Sequence, residues 1–389
     1  MKDGISEDEA AALALSRSPT FLADLTRLRA AQADLEEASQ PTNPRLSVLG
    51  PIGVIAAAVS LLAPVMSFLQ LPWRTEAAAR RVDSVAESLV QSGLNTVRDA
   101  RLAHIELANV QRRLQQLRDL HDVAEKLGGL ADVRASMGDI SPADALVVRA
   151  QAGVAADAVE VAERDLVLAQ AAWRIAIGWG DAVAPAIVSS RPLPSIAPPV
   201  MDLITVARQA RPDVRAAELE LEGAGARAGL ERWQIVSLSA QADLQWTAGE
   251  MGLRVGGVLD LPVFSRNEGA IGRAEAALQG AVHRLEFVRQ RAVAEVTTAR
   301  VQLAQSIRSY ARYRTEIVPP LTRALEAARE QYERGDVPYL IVLDALSRLG
   351  AAQLRQIELE AETRRAYAEL ERAVGARIEI LPQPEEPIP

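Results

Sequence analysis

The residues that could do chemistry in this chain are few and scattered. His104, His121 and His283 stand far apart, outside any HExxH or other ligand-spaced cluster, so packing or surface roles are expected for them and no metal site. The chain has no cysteine, which excludes disulfides, thiolate metal sites and cysteine nucleophiles. The stretch EGAGARAG at 222–229 has the glycine density of a nucleotide-binding loop, but no strand precedes it. Small residues inside a helix, allowing close helix packing, are the expectation there. No serine, histidine and acid form a grouping, so neither an enzyme nor a cofactor is expected. What recurs is a turn. Gly138-Asp139-Ile140 in MGDISPADAL (137–146) and Gly335-Asp336-Val337 in RGDVPYLIVL (334–343) each break a long polar-apolar run. Glycine suits a tight helix-helix turn because it tolerates positive φ.

The repeated turn belongs to a larger repetition. SPTFLADLTRLRAAQADLEEA (18–38) matches RPDVRAAELELEGAGARAGLE (211–231), with Pro19 over Pro212. LPWRTEAAARRV from Leu71 matches LPVFSRNEGAIGRAEAAL from Leu261, and Gly138 lies over Gly335. Self-similarity of this order marks a tandem duplication. The first repeat is expected over 1–183 and the second over 200–375, joined by a Pro-rich linker at 184–199 and followed by a loose tail at 376–389. Each repeat reads as a helix, an extended charge-poor stretch (44–73 and 237–264) and a very long run (74–134 and 268–334). The turn and a second helix (142–178 and 339–375) complete it. Ser6 with Glu9 forms a capping box for the first helix.

The long runs carry coiled-coil spacing at Leu107, Val110, Leu114, Leu117, Ala124 and Leu127. The second set is Leu278, Val282, Leu285, Ala292, Ala299 and Leu303. Sixty helical residues would span about 90 Å, more than a compact domain needs. Pro319-Pro320 is expected to interrupt the second run. Aromatics make up only 4% of the chain, consistent with long helices packed through small residues. A net charge of −8 with dispersed basic residues excludes the electrostatic stripe that nucleic-acid binding needs.

Between 238 and 260, Leu238, Ala240, Ala242, Leu244 and Trp246 alternate with Ser239, Gln241, Asp243, Gln245 and Thr247. After GEMG, Leu253, Val255, Gly257 and Leu259 alternate with Arg254, Gly256, Val258 and Asp260. Period-2 alternation on both sides of a glycine turn is a β-hairpin with one apolar and one mostly polar face. It can line a membrane barrel or cover a soluble core. Residues 46–73 are uncharged with weak alternation, and their length also allows a transmembrane helix. Gly50-Pro51, Gly53, Pro64 and the matching position of the second hairpin favour two strands, although without a convincing polar face. The opening MKDGISEDEAAALAL has no basic and apolar leader, which fits a cytosolic protein or a processed form.

These features in this order resemble the TolC-like outer-membrane efflux family. The residues that carry the resemblance are ISEDEAAALALSRSPTFLAD, NPRLSVLG, LDLPVFSRNEGAIGRAEAAL and the two Gly-Asp turns, and it covers nearly all of the chain from Ile5 to Gly375. The PVFSRNEGAI stretch is most similar to the subgroup serving metal-ion and related resistance-nodulation-division pumps. The resemblance implies a mainly α fold with β: a long coiled-coil α-helical barrel plus a small transmembrane β-barrel from two hairpins per chain. It implies a homotrimer in the outer membrane with a periplasmic extension, acting as a passive duct of a tripartite efflux or type I secretion system. It also implies docking of a periplasmic adaptor at Gly138, Asp139, Ile140, Gly335, Asp336 and Val337, with an inner-membrane pump acting indirectly. Asp344 falls where the family can place an acidic constriction ring; as a bare residue it is equally a solvated helix carboxylate. Tyr332 falls where the family can carry a gate hydrogen-bonding residue, or packs only. Asp144 would support the first turn. The competing expectation is a coiled-coil interaction protein held to a membrane by 46–73 as a single helix.

Overall fold

The computed structural model describes residues 4–50, 55–181, 183–188, 192–233, 237–247, 250–260, 266–334 and 336–378. The elements in chain order are α1 (Glu7–Arg17), α2 (Pro19–Ala38), β1 (Arg45–Leu49), β2 (Ile55–Pro64) and α3 (Val65–Met137). Then come α4 (Pro142–Ala176), α5 (Val200–Ala210), α6 (Pro212–Trp233), β3 (Ser237–Thr247) and β4 (Glu250–Asp260). The chain ends with α7 (Glu268–Arg312), a π-helical turn at Tyr313–Ile317, α8 (Val318–Arg334) and α9 (Tyr339–Val374). The fold is mainly helical with one small sheet. Two compact units form, each assembled from both halves of the sequence: 1–22 with 92–210 and 292–389, and 23–91 with 211–291.

Local chemistry explains most element ends. Ser6 caps α1 by accepting from the Glu9 amide, while Glu9 Oε2 accepts from the Ser6 amide at 2.8 Å. The opening helix of each repeat is in fact two helices. The chain breaks at Ser18 before Pro19 and at Arg211 before Pro212, because a residue preceding proline is driven out of the α region. Arg211, itself buried, anchors the second break by donating to both carboxylate oxygens of Asp213 at 2.9 and 2.6 Å.

Three expectations need correction. The extended stretch expected over 44–73 ends at Pro64, and residues 65–73 are already the first turns of α3, with Pro72 inside the helix. Pro64 ends the ladder because it supplies no N–H. A single transmembrane helix over 46–73 is excluded, because 45–49 and 55–64 are strands; among the described residues no helix is long and apolar enough to cross a membrane. Pro319-Pro320 does not stop the second run. The two missing donors are absorbed by one widened turn in which the Val318 N–H reaches Tyr313 O, and α8 continues beyond it.

In the unit containing the helix pairs α3–α4 and α8–α9, Leu107, Val110, Leu114 and Ala124 are buried, as are Ala292, Ala299 and Leu303. Val282 in the other unit is exposed, and Ala281 takes the buried position; Val288 and Val296 complete a seam that the expected spacing skipped. Near Arg101 the core is charged. Arg101, 4% exposed, donates to Glu371 at 2.5 Å and to Asp8 at 3.0 Å, and Arg377 also reaches Asp8 at 3.0 Å. Ile378 is buried beside Leu203, Val296, Leu370 and Val374, so the stretch after α9 is packed through Ile378 and not loose from 376. The tail beyond it lies outside the described residues. The 184–199 segment is likewise tied down, where Ile187 bridges to Ile5 and where Pro198 O accepts from Arg300 Nε at 3.2 Å.

Candidate membrane wall and tip turns

The sheet is the first candidate site. Its order is β1-β2-β3-β4, all antiparallel, so the two hairpins lie side by side through β2 and β3. Register decides what each face presents, because side chains alternate along a strand. One row across all four strands is Leu46, Leu61, Ala242 and Val255, and the next on that face is Val48, Val59, Leu244 and Leu253. On the opposite face the row is Ser47, Ser60, Asp243 and Arg254, flanked by Arg45, Leu62, Gln241 and Gly256. On this side the first hairpin brings Arg45, Ser47 and Ser60 but also Leu49, Ala58 and Leu62, so its polar row is only Ser47 and Ser60 beside Asp243.

The apolar face is open. Val255 is 78% exposed, Leu253 and Val48 68%, and Leu46 66%. A contiguous exposed apolar face of this kind marks an interaction or membrane surface. On the polar side Gln241 Nε2 donates to both oxygens of Asp243 at 2.9 and 3.0 Å, and the Ser237 hydroxyl donates to Asp260. Beyond β4 the chain turns at Asn267, in the left-handed region at φ 60, and its side-chain amide donates to Glu231 O at 3.1 Å. Asn267-Glu268-Gly269 thus forms the entry into α7. Residues 51–54, 248–249 and 261–265, the last including all of PVFS, lie outside the described residues.

The turns are the second candidate site. At the first, Gly138 has φ +82 and the Asp139 N–H bonds Arg134 O at 2.9 Å, with Gly138 N–H on Ala135 O at 3.1 Å. This pair of bonds is a Schellman ending. Ser141 then caps α4, accepting from the Asp144 amide at 3.1 Å, with Pro142 at the first helical position. Asp144 supports the turn through its backbone. Gly335 lies outside the described residues, yet Asp336 N–H bonds Gln331 O at 2.9 Å, the same six-to-one closure. Asp139 and Asp336 are exposed, while Ile140 and Val337 are half-buried.

Ile140 packs with Ala131, Ala145, Val148 and Tyr339, and Tyr332 joins the same cluster. The Tyr332 and Tyr339 rings meet edge-on at 5.3 Å and 60°. The Arg134 guanidinium sits 4.3 Å from the centre of the Tyr332 ring. Arg134 and Tyr339 were not singled out by sequence; the long-range contact with Tyr332 has no local signature. Burial pushes the Tyr339 phenol above its usual range, and among the described residues its hydroxyl has no hydrogen-bond partner. Asp344 is exposed and pairs with Arg348 one turn on, Nε to Oδ2 2.8 Å.

The remaining candidates take structural places. His104 is buried, with Nε2 3.1 Å from Ile5 O and its ring edge-on to Trp173 at 5.5 Å. Burial holds its imidazole below the usual histidine value, outweighing the attraction of Glu7. His121 lies beside Glu125 and His283 is exposed. Of the EGAGARAG glycines, Gly223 allows a close approach, since a Cβ there would meet Arg80 Cβ at 3.4 Å; Gly225 and Gly229 face open space. Among the described residues no three His, Asp or Glu side chains form a metal-binding group.

A fold with long paired helices and a small sheet exposing its apolar face has known counterparts. Residues 203–376 match the family model described as outer membrane efflux protein. The cobalt-zinc-cadmium resistance protein CzcC of Cupriavidus metallidurans is 29% identical over 278 residues, which is 68% of this chain and 64% of that protein. A membrane protein from Pseudomonas aeruginosa shares the fold with a TM-score of 0.82 at 21% identity, covering 95% of this chain and 92% of that one. The CmeC outer membrane channel of Campylobacter jejuni has a TM-score of 0.81 at 15% identity, over 95% of this chain and 85% of that one. This chain thus shares its fold with these proteins over 95% of its length, and it matches the outer membrane efflux protein model over residues 203–376.

Proposed function

We propose that this chain is the outer-membrane duct of a tripartite efflux system, working as a homotrimer. The observation that carries the reading is the sheet. It has two free edges, β1 and β4, one exposed apolar face and one polar face with an Asp243–Arg254 cross-strand pair. An open four-stranded sheet with that distribution is stable in a bilayer only if its edges are paired, since unpaired backbone groups are costly in hydrocarbon. Three copies joined β4 to β1 give a twelve-stranded barrel, apolar outside and polar within.

The tip turns then form the periplasmic end. Gly138, Asp139, Ile140, Gly335, Asp336 and Val337 present two similar loops per chain, six per trimer, to the hairpins of a periplasmic adaptor. Asp344 supplies three symmetry-related carboxylates to the constriction, tuned by Arg348, and Tyr332 holds the two tips together. A passive duct needs no cofactor and no catalytic group; an inner-membrane pump supplies the energy. Likeness to CzcC, whose name refers to cobalt, zinc and cadmium, favours divalent metal ions as cargo, and the PVFSRNEGAI resemblance favours a resistance-nodulation-division pump as the energy source.

Because the chain has no cysteine, engineered ones report unambiguously. Single cysteines scanned along β1 and paired with one on β4, such as Val255→Cys, are expected to form disulfides between neighbouring copies at one register and yield a covalent trimer. Absence of any cross-linked trimer across the scan would overturn the closed barrel.

A further inference from the structure

Within the unit of 1–22, 92–210 and 292–389, beside the charged core, lies a cavity of about 420 Å³ that the duct reading leaves unused. Residues of α1, of the middle of α3 and of the end of α9 wall it. Leu15, Leu94 and Val97 give the wall half-buried apolar surface. Its charged side chains are four guanidiniums, Arg98, Arg101, Arg372 and Arg377, against two carboxylates, Asp8 and Glu371. Both carboxylates are already engaged. Arg101 donates to Glu371, and it shares Asp8 Oδ1 with Arg377, each at 3.0 Å. Arg98 and Arg372 hold Asp99 and Glu295 outside the cavity, and both also reach Glu369. Arg377, its side chain 53% exposed, reaches no carboxylate but the shared Asp8 among the described residues. A cation with half a carboxylate, on a wall with more cations than acids, attracts a further acid.

We propose that this cavity is a docking groove for the acidic end of the same chain, residues 379–389. The wall runs to Arg377, and Glu379 follows two residues later. The stretch EILPQPEEPIP carries Glu379, Glu385 and Glu386 and no cation. It intersperses them with Ile380, Leu381 and Ile388, which suit Leu15, Leu94 and Val97 as the acids suit the guanidiniums. At about 3.3 Å per extended residue, the chain past Ile378 can cross a cavity of this size before it reaches Glu385. Its four prolines reduce the conformational freedom lost on docking. Glu385 and Glu386 then supply the carboxylate that Arg377 lacks, and the segment straps the end of α9 to α1 across the buried Arg101. Docking of this segment does not depend on the sheet spanning a membrane.

Cysteine cross-linking in the full-length chain tests this, because the chain has no cysteine of its own. Ala12→Cys, exposed on the cavity wall, is paired with Ile388→Cys. The control pair is Met201→Cys with Ile388→Cys. Met201 is 67% exposed on α5, two residues before Leu203, which packs in the same cluster as Ile378. It therefore stands near the root of the segment but outside the cavity. The expected result under mild oxidation is an intrachain disulfide at least fivefold more abundant for the Ala12 pair than for the Met201 pair. Adding Glu385→Lys and Glu386→Lys should lower that yield at least threefold. Equal yields from the two pairs overturn the docking, and so does a yield that charge reversal leaves unchanged. A disulfide formed only between chains also overturns it, and assigns the cavity to the segment of a neighbouring copy.

Discussion

The guanidinium of Arg134 lies over the ring of Tyr332, 4.3 Å from its centre, and so ties the last turn of α3 to the last turn of α8. Tyr332 in turn meets Tyr339, at the start of α9, edge-on. The ends of α3 and α8 and the start of α9 are therefore one packed assembly, bound by a cation–π contact and an aromatic pair.

A double-mutant cycle on Arg134→Ala and Tyr332→Leu should give a coupling of about 0.5–1 kcal/mol in chemical unfolding, the range for a partly exposed cation–π pair. Either single variant should also make the channel noisier in bilayer recordings. Additive effects would show that the tips are independent.

The acid at position 344 should set ion preference. Asp344→Ala is expected to weaken cation selectivity or raise single-channel conductance. Arg348→Ala, which frees the carboxylate from its 2.8 Å partner, should strengthen cation selectivity. Unchanged selectivity and conductance in both variants would remove Asp344 from the constriction and leave it an ordinary helix carboxylate.

Face specificity of the sheet gives a sharp contrast. Leu253→Arg places a charge on the apolar face, at a cost of about 2–4 kcal/mol near the bilayer centre, and should cut the yield of assembled trimer severely. Gln245→Arg, on the polar face of the neighbouring strand, should assemble normally. Equal yields would mean that the two faces see the same solvent.

His104 is buried with its pKa held below the ordinary histidine value, so the unfolded chain takes up a proton at a higher pH than the folded one. Its contribution is fully present above the unfolded value of about 6.5 and is lost as pH falls from there toward the depressed folded value. The thermal midpoint of wild type should therefore fall over that window more steeply than that of His104→Gln. Parallel profiles would contradict a neutral buried imidazole.

Glu371→Ala should be among the most damaging single changes, because it removes the buried partner of Arg101, 4% exposed, and leaves it the exposed Asp8. Breaking a buried pair by removing one partner costs up to about 3–5 kcal/mol. Replacing both partners, Arg101→Met with Glu371→Leu, should restore much of the loss in a denaturation curve. No rescue would show that the Asp8 and Arg377 contacts depend on the pair.

Much of this was written in local patterns. The alternation at 238–260, the capping box at Ser6 and Glu9, and the glycine before Asp139 are short-range signals, and each became the element it implied. What escaped the sequence depends on partners distant in the chain. Ser47 and Ser60 become a polar row only when β2 is set against β3. Pro64 and not Trp73 ends the first hairpin, because the α3 helix propagates back through Pro72. Val282 repeats with correct spacing but faces out, since Ala281 and Val288 fit the seam. The Arg134–Tyr332–Tyr339 cluster joins three helix ends that no sequence period links.

The central claim is a water-filled path across a membrane, and planar-bilayer conductance of the purified trimer tests it most directly. The account predicts discrete, cation-preferring steps from wild-type protein. Electrical silence from a verified, folded trimer would contradict it.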